Sequence, residues 1–223
     1  MDITHASPVG EIAAAVPAAT RVFHRHQIDF CCGGGRPLEE VCDRKGLSVD
    51  SILDEIETEV TPADTSARDW TDAPLGDLID HILTTYHEPL REELPRLQSM
   101  AHKVLRVHGD SDPEMLATLN DVLDGLVAEL YSHMLKEERI LFPMIKHGGG
   151  SSAGAPISVM EHEHDSAGDA LRRMRELTRD YDPPEWACTT YRALFGGLAD
   201  LEEALHEHIH LENNILFPRA LAG

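Results

Sequence analysis

Two stretches of the sequence repeat one arrangement: a histidine, a glutamate four residues later, and an apolar run that ends in Phe-Pro. The copies occupy residues 133–143 and 208–218, and their pairs are His133 with Glu137 and His208 with Glu212. Residues four apart lie above one another on an α-helix, so each copy would present an imidazole and a carboxylate on one face. These groups suit iron or manganese, and two such faces turned towards each other predict a metal site.

A single histidine precedes each copy at a similar distance. His87 lies 46 residues before His133, and His164 lies 44 residues before His208. Each half of the repeat is therefore predicted to be a helical hairpin with one histidine on its first helix and the pair on its second. Six ligands are too many for one tetrahedral zinc ion, and they predict two non-haem irons bridged by the glutamates. The candidate ligands are His87, His133, Glu137, His164, His208 and Glu212.

The alternative is that each pair is a hydrogen-bonded pair on the surface of an acidic helix. One isolated pair would favour that interpretation, whereas two pairs in the same apolar context, with two matched histidines, favour the metal site. Glu129 lies four residues before His133, and Glu163 is adjacent to His164, so both are candidates for orienting a ligand or relaying protons. His206 and Glu138 are predicted to face solvent.

Composition excludes several classes of function. The 223 residues include 19 basic and 40 acidic side chains, for a formal charge of −21, which argues against binding nucleic acid or an anionic membrane surface. No apolar stretch reaches 18 residues, and the first residues do not resemble a signal peptide. Four cysteines, two of them adjacent, do not form a disulfide framework, so reduced thiols in a cytoplasmic protein are predicted.

The elements that must position the ligands are helical throughout, and the fold class is predicted to be all-α. Residues 1–60 are predicted to form a small helical N-terminal domain, and residues 61–73 have the composition of a linker. Residues 74–223 contain four longer amphipathic blocks joined by short connections, which predicts an antiparallel four-helix bundle. Pro89 predicts a kink near Glu88.

Adjacent thiols are the second chemical feature. Cys31 and Cys32 stand between Asp29-Phe30 and three glycines. Neighbouring cysteines rarely bridge each other, but they can exchange disulfides with a partner or hold a soft metal transiently. The alternative is a buried apolar pair in a small helical core, and the sequence leaves this choice open. Cys42 and Cys188 are predicted to be ordinary core residues.

With these motifs in place, the chain resembles a known family over nearly its whole length. The stretch at 28–34 resembles the N-terminal domain of the di-iron proteins that repair iron–sulfur clusters, the YtfE/ScdA type or "repair of iron centres" family. The stretches at 132–145, 156–165 and 211–221 resemble the hemerythrin-like domain of that family. Carried over by position, the iron ligands of the family fall on the same six residues that the spacing selects.

The resemblance implies that the chain repairs iron–sulfur clusters damaged by nitrosative or oxidative stress. It implies iron donation to damaged iron–sulfur proteins, with docking or thiol exchange at Cys31 and Cys32, and some reduction of nitric oxide to nitrous oxide. The alternative is a non-enzymatic hemerythrin-like protein that binds or senses oxygen or nitric oxide. Oxygen-carrying hemerythrins use an additional histidine, whereas Gly168 stands four residues after His164, which favours exchange and chemistry over storage. A homodimer is compatible with the sequence.

Overall fold

The computed structural model describes residues 3–61 and 68–223, and these residues form eight helices and no strand. The first four helices are short and the last four are long. This arrangement confirms the predicted all-α fold, an antiparallel four-helix bundle preceded by a small helical N-terminal unit. Residues 62–67 of the predicted linker lie outside the described residues, and the proposed division at 61–73 stays a prediction.

The N-terminal unit has its own apolar core. Its helices are α1 (Val9–Ala15), α2 (Ala18–Arg25), α3 (Leu38–Lys45) and α4 (Val49–Glu59). Ser48 begins α4 as predicted, because its hydroxyl accepts a hydrogen bond from the backbone N–H of Ser51. The largest side chains that these helices and the following loops bury together are Ile12, Phe23, Phe30, Leu38 and Ile52.

The bundle consists of α5 (Leu75–His108), α6 (Pro113–Lys146), α7 (Gly154–Thr178) and α8 (Thr189–Ala222). α5 packs against α6 and α8, and α7 packs against α6 and α8. α8 begins after Pro183 and Pro184, with Cys188 as its N-cap. None of the helices in the described parts of the chain has the length and apolarity needed to cross a membrane.

Three of the long helices contain a π-helical turn. These turns span Leu83–His87 in α5, Glu137–Leu141 in α6 and Leu211–Leu216 in α8. The second residue after each turn is a proline, at positions 89, 143 and 218. A proline has no N–H for the carbonyl four residues before it, and an i→i+5 bond from the next residue can replace the lost bond. The kink predicted near Glu88 is thus a widened turn, and the helix continues through it.

The bundle core is divided into two apolar clusters. One fills the half that contains Leu94, Leu123 and Leu198, and the other fills the half that contains Ile79, Phe142 and Phe217. On each of the four helices, the residues between the two clusters include the candidate ligands. The two clusters therefore hold the predicted metal site between them, away from water.

Candidate metal centre

All six predicted ligands meet in the interior of the bundle. The carboxylates of Glu137 and Glu212 are completely buried, and none of the four histidines is more than 4% exposed. The Nε2 atoms of the histidines point inward in pairs. His87 and His208 approach within 3.2 Å, and His133 and His164 within 3.1 Å.

The two carboxylates lie between the histidine pairs. Glu212 Oε1 is 3.1 Å from His208 Nε2, and Glu212 Oε2 is 3.1 Å from His164 Nε2. Glu137 Oε2 is 3.4 Å from His87 Nε2 and 3.3 Å from His133 Nε2. The donors thus form two groups, one for each histidine pair, and both carboxylates belong to both groups.

The outer nitrogen of three histidines is fixed by an acceptor. His87 Nδ1 donates to Glu138 Oε1 at 2.8 Å, His133 Nδ1 to Glu163 Oε2 at 3.0 Å, and His164 Nδ1 to the amide oxygen of Asn213 at 2.8 Å. Carboxylates and an amide oxygen can only accept here, so these bonds place the proton of the neutral ring on Nδ1. The Nε2 atoms of His133 and His164 then present lone pairs to each other.

This arrangement fits metal ions. Facing lone pairs repel one another unless a cation or a proton lies between them. Both oxygens of Glu137 and Oε2 of Glu212 are also buried without a hydrogen bond, which is costly for an ionised carboxylate. Divalent cations held by Nε2 and carboxylate oxygens would satisfy all of these atoms, and histidine and carboxylate donors suit iron.

Electrostatics keeps both carboxylates ionised. Burial alone would raise the pKa of Glu212, but the charge of His208 and its hydrogen bond to Oε1, together with the ring of His164 beside Oε2, hold the pKa well below its usual range. Burial would likewise lower the pKa of His133, but the carboxylate of Glu137 outweighs it and raises the pKa to about 9. The two buried carboxylates therefore favour positive charge beside them, whether on the imidazoles or on a bound cation.

The residues around the six differ in part from those expected. Glu163 bonds His133, as an orienting residue would, and also pairs with Lys136. Glu129 contacts none of the six through a hydrogen bond. Its carboxylate accepts a hydrogen bond from the hydroxyl of Ser166 at 3.0 Å, and Glu129 lies at the wall of a small cavity beside the cluster.

Glu138 and Asn213 are the residues that the sequence reasoning missed. Glu138 was predicted to face solvent, which is wrong, since it is mostly buried and orients His87. Their matching positions in the two copies of the repeat could have identified them. Each residue directly follows the glutamate of its copy, and each bonds Nδ1 of the histidine on the first helix of the same half.

A small cavity of about 20 Å³ adjoins the cluster. Its wall includes His133, His164 and His208, and the carboxyl-bearing residues Glu129 and Glu163 complete its polar side. This volume is about that of one water-sized molecule. The cavity thus lies beside three of the candidate ligands and two carboxyl-bearing residues.

The loop with the vicinal thiols packs directly against the bundle. Cys31 is buried and Cys32 is half-buried, and their sulfur atoms are 3.8 Å apart without a bond. The thiol of Cys32 donates to the backbone carbonyl of His164 at 3.4 Å. A Cβ at Gly168 would lie 3.5 Å from Cys32 Sγ, which is ordinary van der Waals contact, so this position of α7 packs directly against the thiol.

Two asparagines of α8 bond this loop, and one of them also bonds a candidate ligand. The amide of Asn213 donates to the carbonyl of Cys31 at 3.3 Å while its oxygen accepts from His164. Asn214 donates to the carbonyl of Phe30 at 2.9 Å. A Cβ at Gly10 or Gly34 would lie within 2.8 Å of Asn214 Oδ1, so glycine at these positions permits the close packing.

The thiols differ in acidity. The hydrogen bond with Cys32 and burial raise the pKa of Cys31 well above its usual range, so this thiol stays protonated at neutral pH. Cys42 is buried in the N-terminal core, as predicted. Cys188 was also predicted to be a core residue, which is wrong: it is exposed at the start of α8, and its sulfur is 3.2 Å from His108 Nε2.

Cys188 is therefore expected to be the first cysteine to react with iodoacetamide. The backbone N–H of Tyr191 and the ring of His108 lower the pKa of its thiol to about 7. Its alkylation rate, followed by peptide mass spectrometry, should rise as the pH passes about 7 rather than about 8.5. His108→Ala should slow labelling at pH 7 about threefold to tenfold, because less thiolate is present. The exposed Val107→Ala serves as the control, and faster labelling of Cys31 would contradict this order of reactivity.

Two family profiles match separate parts of the chain. The profile of the Hemerythrin HHE cation binding domain matches residues 78–220, and ScdA_N, described as a Domain of Unknown function (DUF542), matches residues 5–60. A protein of Pectobacterium carotovorum named "Iron-sulfur cluster repair protein YtfE" is 49% identical over 217 residues, 96% of each chain. A protein of Escherichia coli with the same name is 49% identical over 216 residues, 97% of each chain.

Proposed function

The chain belongs to the family of iron–sulfur cluster repair proteins with a hemerythrin HHE domain, and we propose that it restores iron–sulfur clusters damaged by nitrosative or oxidative stress. The observation that carries this proposal is the shared use of Glu137 and Glu212 by two histidine pairs. Damaged iron–sulfur proteins are its proposed partners. A cytoplasmic location and a homodimer stay predictions from the sequence.

The buried cluster would hold two irons. One group comprises His87 and His208, the other comprises His133 and His164, and both carboxylates serve both groups. When bound, the irons would supply exchangeable iron for a damaged cluster and two electrons that, with two protons, reduce two molecules of nitric oxide to nitrous oxide and water. With four protein donors for each iron, open positions would remain for exchange.

The surrounding residues orient the candidate ligands and keep water away from them. Glu138, Glu163 and Asn213 fix the tautomers of three histidines, so Nε2 is free to bind. The two apolar clusters on either side exclude water from the carboxylates. Glu129, at the wall of the small cavity, is the proposed proton donor to a ligand bound there.

Asn213 is proposed to link the thiol loop to metal retention, because one amide group bonds both the carbonyl of Cys31 and the ring of His164. Its replacement by alanine is expected to speed iron loss to a chelator about 10-fold to 100-fold, since His164 would lose its orientation. The release of iron to a ferrous chelator, followed by absorbance, measures this effect.

Asn214→Ala is the matched control, because it removes a bond to the same loop but none to a candidate ligand. It should change the release rate less than threefold. Equal rates for the Asn213→Ala variant and the unaltered protein would show that this link does not retain iron.

Repair is tested with a hydratase whose [4Fe–4S] cluster has been nitrosylated. The iron-loaded protein, added with a thiol reductant under anaerobic conditions, should restore hydratase activity, and its own iron content should fall in proportion. A Cys31→Ser/Cys32→Ser variant should keep its iron yet restore activity more slowly. No recovery with the loaded protein, at matched iron concentration, would overturn the proposal.

Nitric oxide reduction is tested separately. The reduced protein with nitric oxide and an electron donor should produce nitrous oxide over several turnovers, detected by gas chromatography. Binding of nitric oxide without nitrous oxide would support the alternative of a binding or sensing protein, provided that the damaged hydratase also fails to recover.

A further inference from the structure

A third group of metal-binding side chains lies outside the candidate metal centre. It comprises His24 at the end of α2 and Glu202 and His206 on α8, and one donor atom from each lies within 4.8 Å of the others. Glu202 and His206 are four residues apart and therefore share one face of α8. His206 precedes His208 by two residues, so the two rings leave α8 on different sides, and the groups share no residue.

His206 was predicted to be solvated, and the structure corrects this. It lies half-buried between the two parts of the chain, with ring centroids 6.1 Å from those of both His24 and Phe30. The Nε2 atom of His24 is buried without a hydrogen-bond partner. A buried imidazole nitrogen without a partner is unfavourable, and a metal ion is one group that could satisfy it.

Glu202 is held as a supported ligand would be. It is 4% exposed, and its Oε1 accepts a hydrogen bond from Arg175 Nε at 2.9 Å while Oε2 accepts one from Tyr181 at 2.5 Å. Each carboxylate oxygen has two lone pairs, so one on each oxygen remains after these bonds. The two hydrogen bonds therefore orient the carboxylate and leave a lone pair on each oxygen for a metal ion. The positive charge of Arg175 makes tight binding of a dication unfavourable.

The three side chains face a cavity of about 480 Å³ between the N-terminal unit and the bundle. Asp29, Cys31 and Cys32 line the same cavity and form a further group of nearby donor atoms. An ion held by the three side chains would thus have open positions towards this cavity.

We propose that His24, Glu202 and His206 form a second metal site that binds one divalent transition-metal ion, such as zinc or ferrous iron. Two imidazoles and one carboxylate with open positions suit such ions, and no thiolate is required. The nearby arginine makes this ion more readily exchanged than those of the buried cluster. This inference does not depend on the repair function, because it concerns residues outside that cluster.

The test is zinc binding by the iron-loaded protein in equilibrium dialysis, with iron measured in the same samples. The unaltered protein should bind about one zinc per chain without losing iron. His24→Gln and Glu202→Gln should each weaken zinc binding at least tenfold and leave the iron content unchanged. His26→Gln is the matched control, because His26 is two residues from His24 and bonds Glu55 instead.

Zinc X-ray absorption of the unaltered protein provides a test that needs no variant. The proposal expects only nitrogen and oxygen ligands, at about 2.0–2.2 Å, with scattering from about two imidazoles. A sulfur shell near 2.3 Å would place zinc on the thiols and overturn the proposal. Absence of the additional zinc, or equal affinity in the His24→Gln variant with its fold intact by circular dichroism, would overturn it as well.

Discussion

Replacement of Glu212 by alanine is expected to lower the iron content of the purified protein from about two ions per chain to less than half an ion. Glu212 offers one oxygen to each histidine pair, so its loss removes a ligand from both groups at once. It also removes negative charge that offsets the repulsion between two neighbouring dications. Iron is measured by mass spectrometry of the metal, together with the protein concentration.

Loss of iron must be separated from loss of fold. Glu203→Ala is the matched control, since it removes an exposed carboxylate from the same helix, and it should retain full iron. Circular dichroism, measured well below the unfolding temperature, should show the same helical content for the iron-free alanine variant and the iron-free parent, which separates the two effects. A Glu212→Ala protein that keeps two irons would show that the carboxylate is not shared.

Removal of the metal is expected to cause the second large effect, a fall in the midpoint of thermal unfolding of about 8–16 °C. A ligand present at about 1,000 times its dissociation constant stabilises the fold by about 4 kcal/mol, and a chain of this size shifts by about 2–4 °C for each kcal/mol. The physical cause is the buried pair of carboxylates, which must share the interior without their cations.

Differential scanning calorimetry of the iron-loaded and chelated protein measures this difference. Readdition of ferrous iron should restore the higher midpoint, which excludes damage by the chelator. The Glu212→Ala variant should show almost no difference between the two conditions. Identical midpoints for the loaded and chelated parent would mean that metal does not stabilise the bundle.

Several features of the fold were predictable from periodicity and spacing. The four amphipathic blocks became the four long helices, and the repeated His-x-x-x-Glu pairs met in the interior, because residues four apart share a helical face. These spacings alone were enough to select the six candidate ligands. The residues that bond Nδ1 of the histidines are found only by comparing the two copies of the repeat. Glu138 in one copy then corresponds to Asn213 in the other, and each bonds a histidine.

Other features depend on contacts between distant residues. The π-helical turn before Pro89 results from a missing N–H in a helix that tertiary packing keeps intact, so the sequence could predict a disturbance but not its form. His206 appeared solvated because its own helix does not bury it. The N-terminal unit does so, by placing Phe30 and His24 against it. Cys188 lies just before α8, as its N-cap, and is exposed.

Mössbauer spectroscopy of the purified iron-57 protein, combined with iron analysis, tests the central claim most directly. A pair of irons that share Glu137 and Glu212 should give about two irons per chain and, when oxidised, a diamagnetic ground state from coupling between them. One iron per chain, or two whose spectra show isolated paramagnetic ions, would contradict a shared pair and leave the helical bundle without its proposed chemistry.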